Sequence, residues 1–175
     1  MTSQDLFELF IRRFEAAGGT LLFPKDGMAL KEALDTMIQE EGVTSYGLSS
    51  RTPKARTINA ILKDLGIERS RDYSSVDLGI TGAQGAGAAT GTLAFAFWKG
   101  MDHLLTSLPR IHLAVLREGD IFPHIFQGIM PLLNSDASPP PYLSLVTGPS
   151  MTGDIELTHV TGVHGPEKLY LLVVP

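Results

Sequence analysis

The sequence contains no cysteine. That excludes a disulfide framework, a thiolate zinc site and a cysteine-ligated iron–sulfur cluster on this chain. No block of like charge occurs, and the net charge is −5. Nucleic-acid affinity rests on basic residues that displace counterions, so this balance argues against such a partner. Long apolar runs are also missing. Leu93–Trp98 and Leu169–Pro175 are among the longest, and both fall far short of a bilayer span. The opening residues, MTSQDLFELF, carry an early acid and lack a basic-then-apolar secretory pattern. These absences predict a cytoplasmic chain without disulfides, membrane span or structural metal. With 175 residues, 43% of them hydrophobic, residues 1–175 read as one domain able to bury a core.

What is present is an alternation of helices and short apolar strands. Leu6, Leu9, Phe10, Phe14 and Ala17 recur at three and four residues, which predicts a helix over Asp5–Ala17 with Ser3 as its cap. Met28–Glu40 and Thr52–Leu65 read as two more, the latter with Pro53 in its first turn. Further helices are expected near Met101–Ser107 and Pro123–Leu133. TLLF and SYGLS lie between the first helices as strands, and SVDLGIT, GTLAFAF, IHLAVL, YLSLVT and KLYLLVV follow. The last three are nearly continuous apolar runs, as strands covered on both faces would be. The rhythm predicts an α/β fold on a mostly parallel sheet. NSDASPPPY reads as a loop.

The stretch LGITGAQGAGAATGTLAFAF carries glycine at 79, 82, 85, 87 and 91. Gly82 and Gly87 have P-loop spacing, but Ala88 and Ala89 stand where lysine and a hydroxyl are required. Gly85, Gly87 and Gly91 miss the dinucleotide spacing by one residue, and a strand-like segment follows instead of a helix. Two readings stand: close backbone packing, or an anion cradle of amides with hydroxyls from Thr81, Thr90 and Thr92.

A second cluster, LVTGPSMTGDIELTHVTGVHGPEKLYLLVV, carries more polar groups. Strand YLSLVT runs into Gly148-Pro149-Ser150, and a helix is expected near Thr152, capped by Ser150 or Thr152. Asp154 and Glu156 would then either be first-turn acids favoured by the helix dipole or do chemistry. His164 lies between glycines before the last strand, as a base, a ligand contact or a turn former. His112 reads as a hydrogen-bonded histidine near a sheet edge, and His103 and His124 as surface or packing residues. His159 and His164 have no familiar zinc spacing. No nucleophile elbow or Ser/His/Asp triad is present.

Taken together, DLGITGAQGAGAATGTL, LPRIHLAVL and TGPSMTGDIELTHVTGVHGPEKLYLLVV resemble the LUD domain family, the lactate utilization protein C-like group. The resemblance implies one LUD domain with the fold of the ribose-5-phosphate isomerase, glucosamine-6-phosphate deaminase and CoA-transferase group. That fold is a Rossmann-like three-layer sandwich, a mostly parallel sheet with helices on both faces and the site at the strand carboxyl ends. It implies a role in oxidising L-lactate to pyruvate beside iron–sulfur partner proteins, with no cofactor on this chain. The matching positions are Thr81, Gly82, Thr90, Gly91, Thr92, Gly148, Pro149, Ser150, Thr152, Asp154, Glu156, His164, Gly165 and Pro166. Of these, Thr81, Gly82, Thr90, Gly91, Thr92, Ser150 and Thr152 are the candidate ligand-binding set. Asp154, Glu156 and His164 are the catalytic candidates, should the chain be catalytic at all. The chain departs from the family pattern at Gln84 and Ala89, where acids are usual, at Met151, where arginine is usual, and at Gly153, where alanine is usual. Those changes remove a carboxylate and a bidentate anion clamp.

Three functions follow as expectations. The first is an accessory component of L-lactate utilisation. The second is an enzyme or sensor for a small anionic metabolite, a sugar phosphate, CoA ester or carboxylate. The third is a family member retained for protein contact, with a homodimer compatible with each.

Overall fold

The computed structural model describes residues 2–134, 138–153, 159–161 and 165–175. Along the chain the elements are α1 (Ser3–Ala16), β1 (Thr20–Leu22), α2 (Gly27–Glu41), β2 (Ser45–Leu48), α3 (Ala55–Asp64), β3 (Glu68–Arg69), β4 (Leu78–Gly82), β5 (Gly85–Gly87) and β6 (Thr92–Phe97). A 3-10 turn (Asp102–Thr106) leads to β7 (Ile111–Arg117), and a second (Glu118–Asp120) to β8 (Ile121–Phe122). Then come α4 (Ile125–Leu133), β9 (Tyr142–Val146), β10 (Met151–Gly153), β11 (His159–Thr161) and β12 (Lys168–Val174).

The helix starts show why each begins where it does. Thr2, one residue before the expected cap, closes a capping box: its hydroxyl accepts from Asp5 N–H at 3.1 Å, and the Asp5 carboxylate accepts from Thr2 N–H at 2.7 Å. Asp26 caps α2 by accepting from the amides of Met28 and Ala29, both at 2.9 Å. The third helix starts at Ala55, later than Thr52, because Lys54 takes a left-handed backbone at φ 55°. No side chain caps it.

Six strands form a wholly parallel sheet in the order β1-β12-β7-β4-β2-β3. Alternate residues of its central strands point to opposite faces. Ile111, Leu113 and Val115 of β7 join Leu30, Leu34 and Met37 of α2 and Ile58 and Leu62 of α3 in one core. Ala114 and Leu116 join Phe10 and Phe14 of α1 in the other. This is the α/β, three-layer, Rossmann-like arrangement the sequence implied, and IHLAVL and KLYLLVV are strands covered on both faces.

The second face carries something the sequence did not announce. Beside α1, it is covered by a four-stranded sheet in the order β8-β5-β6-β9, whose Ala86, Leu93, Phe95 and Phe97 enter the same core as Phe10 and Phe14. Each fully buried phenylalanine there contributes on the order of 1.5–3 kcal/mol relative to exposure. Two expectations are corrected. YLSLVT is not covered on both faces: among the described residues β9 pairs with β6 alone, and Tyr142, Leu143 and Leu145 are exposed. No helix starts at Thr152: Met151–Gly153 is β10, paired antiparallel with β11, Thr152 opposite Val160. β-branched residues at 152, 160 and 161 suit a pleated pair better than a helix start.

Candidate functional site at the carboxyl ends of the parallel strands

The glycine-rich stretch is filled by the protein itself. A Cβ on Gly82 would lie 2.7 Å from Pro53 Cδ and 3.0 Å from the Arg51 carbonyl oxygen. One on Gly87 would lie 2.7 Å from the Ile125 amide nitrogen, and one on Gly91 2.5 Å from that of Phe14. Gly91 also has φ +68°, where side chains are strained. The amides are spent as well. Ala83 donates to Val115 O, Gln84 to Ala94 O, Ala88 to Phe122 O, Ala89 to Pro123 O and Gly91 to Gly87 O. The Gln84 side chain donates to Gly82 O at 3.0 Å and accepts from the Ala96 amide, tying the β4–β5 turn to β6. A carboxylate there could accept but not donate.

The candidate ligand residues separate into distinct places. Thr81 is fully buried on β4, its hydroxyl 2.8 Å from His112 Nε2. His112 sits in the sheet interior, between β4 and β12, and not near an edge. Its ring packs on Phe95 at 5.1 Å, and burial pushes its pKa down to about 3. Its Nδ1 has no hydrogen-bond partner among the described residues. Gly82 lies under Thr52–Pro53.

Thr90 and Thr92 do come together, and with them Thr147, which the sequence reading did not include. Their hydroxyls form a chain of 2.6 and 2.7 Å steps. Gly91 and Gly148 both abut the last turns of α1: a Cβ on Gly148 would stand 2.2 Å from Ala17 O. Ser150 donates its amide to Pro166 O at 2.9 Å, two residues before β12 begins. Ser150 thus stands at the amino end of the parallel sheet. Thr152 lies in β10, opposite Val160 of β11. Asp154, Glu156 and His164 lie outside the described residues.

The carboxyl ends present different residues. From β2 the chain proceeds outward through α3 to β3, whereas from β4 it proceeds the other way, through the second sheet to β7. The crevice outside the carboxyl ends of β2 and β4 is therefore the topological switch point, where open α/β sheets take ligands. Thr52 and Pro53 cover the β4 side of that crevice, over Gly82, and a cavity of about 350 Å³ opens on the β3 side of β2's carboxyl end, lined by Ser49 and Ser50 after β2, Arg56 and Asn59 of α3, and Arg69 of β3. A second, of about 150 Å³, shares Ser49 and Ser50 and adds Arg51, Trp98, Lys99 and Asp102.

Neutral groups hold two of these arginines, Arg69 and Arg51, in place. Arg69 donates from Nη1 to Asn59 Oδ1 at 3.0 Å and from Nη2 to Leu48 O at 3.3 Å. Tyr46 donates its hydroxyl to the same Asn59 oxygen at 3.1 Å. Arg51 lies over the Trp98 ring with Cζ 4.5 Å from the centroid. Among the described residues the only ion pairs are those of Glu41 with Arg110 and Lys168, at the amino end of the sheet. Among the described residues Asp102 is the one carboxylate lining these cavities, and it accepts from the Tyr73 hydroxyl at 3.0 Å. The site is thus cationic, with hydroxyl and amide donors around it. The signal that could have located it is SSR directly after the SYGL strand and ahead of a helix.

Among the described residues, no three His, Cys, Asp or Glu side chains cluster as a metal site, and no helix is long and apolar enough to cross a membrane.

The family model for the LUD domain matches residues 7–174. The chain belongs to the LUD domain family. Lactate utilization protein C of Bacillus subtilis is 27% identical over 161 residues, covering 90% of this chain and 63% of that protein. Lactate utilization protein C of Bacillus velezensis is 25% identical over 177 residues, covering 97% of this chain and 67% of that protein. This LUD chain therefore spans 63% of the length of the Bacillus subtilis relative. A crystal structure of a DUF162 family protein from Deinococcus radiodurans has the same fold, with a TM-score of 0.72 at 18% identity over 100% of this chain and 99% of that one.

Proposed function

We propose that this LUD-domain chain is a cytoplasmic accessory component of L-lactate utilisation, acting beside iron–sulfur proteins in the oxidation of L-lactate to pyruvate. The observation that carries the reading is the LUD match along residues 7–174, joined to relatives that bear the name lactate utilization protein C. Oxidising lactate to pyruvate removes two electrons and two protons, and the electrons need an acceptor. The sequence has no cysteine with which to ligate a cluster, so the reading assigns electron acceptance to another chain. Where the resemblance to the family leads one to expect acids this chain holds Gln84 and Ala89, and where it leads one to expect arginine it holds Met151. Gln84 supports an accessory role further, because its amide is used in holding β4, β5 and β6 together.

The test is deletion of the gene in its host, followed by growth on L-lactate as sole carbon source. Growth should fail or slow on L-lactate, remain normal on pyruvate, and return when this chain is supplied from a plasmid. Affinity purification should bring down cysteine-rich ferredoxin-like proteins. Normal growth on L-lactate without the gene would remove the reading.

A further inference from the structure

The two cavities at the carboxyl end of β2 form a site lined by none of the positions matched to the family motifs. Its walls come from β2, β3, α3 and the segment after β6, far in sequence from the Ser150 turn. Three features make it selective for negative charge. Arg69 is fixed by a carbonyl and an amide oxygen, and Arg51 by an aromatic face, so their bonding partners leave both charges uncancelled. Arg56 has no hydrogen-bond or ion-pair partner among the described residues. Asn59 receives two donors on Oδ1, which leaves its amide nitrogen to donate outward. A cavity of about 350 Å³ suits a small metabolite, not a macromolecule.

We propose that the cleft at the carboxyl end of β2 binds the carboxylate or phosphate group of a small metabolite. Arg56 and Arg69 are the cationic contacts, and Ser49, Ser50 and Asn59 the neutral donors. Guanidinium forks match both oxyanions by paired hydrogen bonds. This goes beyond the lactate assignment and does not depend on it, because it is a property of the purified chain. A deletion strain that fails on lactate while the protein binds no anion separates the two.

The experiment is isothermal titration of the full chain with inorganic phosphate and, separately, with L-lactate, paired with amide chemical-shift mapping. Saturable binding of at least one is expected, with shifts at Ser49, Ser50 and Asn59. Binding of phosphate alone identifies a phosphate-bearing ligand, of lactate alone a carboxylate, and of both a shared oxyanion pocket. Arg56→Gln, at an exposed position, should weaken binding about tenfold or more at an unchanged melting temperature. Arg69→Lys keeps the charge but loses the fork and should also weaken it. Arg12→Gln, on exposed α1, removes the same charge elsewhere and should leave binding intact. The proposal is overturned if neither anion binds saturably at millimolar concentration. It is also overturned if Arg56→Gln and Arg12→Gln act alike, or if the shifts map to Thr90, Thr92 and Thr147 instead.

Discussion

At the residue scale, Gly91 and Gln84 show what the motif positions do in this chain. Gly91→Ala would place a methyl 2.5 Å from the Phe14 amide nitrogen on a backbone at φ +68°. Left-handed strain and overpacking together should cost about 2–4 kcal/mol, read as a lower midpoint in urea. Gln84→Glu puts a carboxylate there and removes the donor to Gly82 O. It should cost about 1–3 kcal/mol at neutral pH. Part of that loss should return in acid, where the protonated carboxyl donates again; no recovery would mean that the Gly82 bond contributes little. These two residues also mark what was legible. A glycine's need for close approach can be suspected from sequence, but its neighbour cannot: Gly91 meets Phe14, Gly87 meets Ile125, and both partners are remote in the chain. Arg56 and Arg69 went unnoticed for the same reason, since only the β2–α3–β3 crossover brings them together.

At the element scale, the parallel strands were legible because burial on both faces writes an unbroken apolar run. IHLAVL and KLYLLVV have that form and that position. YLSLVT has the same form and a different position, because an edge strand can also be apolar when nothing forces its outer residues to be polar. The contrast is measurable. Leu93 on β6 is fully buried, so Leu93→Ala should cost about 2–5 kcal/mol. Leu145 on β9 is 46% exposed. Leu145→Lys should shift stability by no more than about 0.5 kcal/mol. Urea unfolding of both variants tests the assignment, and equal losses would place β9 inside. The second sheet was illegible because β5 is Gly85–Gly87, three residues that carry no strand signal of their own. They pair only because β6 and β8 flank them, and they are small because α4 packs directly on them.

At the scale of the whole molecule, three titrating groups give stability the same sign of pH dependence. His112 is buried and neutral, its pKa pushed from 6.5 to about 3. The unfolded chain therefore takes up a proton first, and stability falls as pH drops below 6.5 towards 3. Burial pulls the Glu41 carboxyl upward, but hydrogen bonds from Lys168 and Tyr170 outweigh it and hold its pKa below 4.5. Burial likewise opposes, and the amides and hydroxyls of Thr44 and Ser45 outweigh, at Asp77, whose pKa lies below 3.8. Both carboxylates stabilise the fold above those values, and the stability is lost as pH falls through the lower folded ones. The wild-type urea midpoint should thus decline from pH 6.5 and more steeply near 4. His112→Gln, which keeps a partner for Thr81, should flatten the limb between 6.5 and 5, and Glu41→Gln the acid limb alone. An unchanged slope in His112→Gln would place the histidine in a solvated site. The strand order has a consequence for synthesis. β12 lies between β1 and β7 and, among the described residues, is β1's only partner in the sheet. While residues 168–174 are still inside the ribosome, β1 has nothing to pair with and one side of β7 stays open. β1 therefore stays unpaired until β12 has been made, and the sheet closes around a strand that follows its neighbours β1 and β7 in the chain.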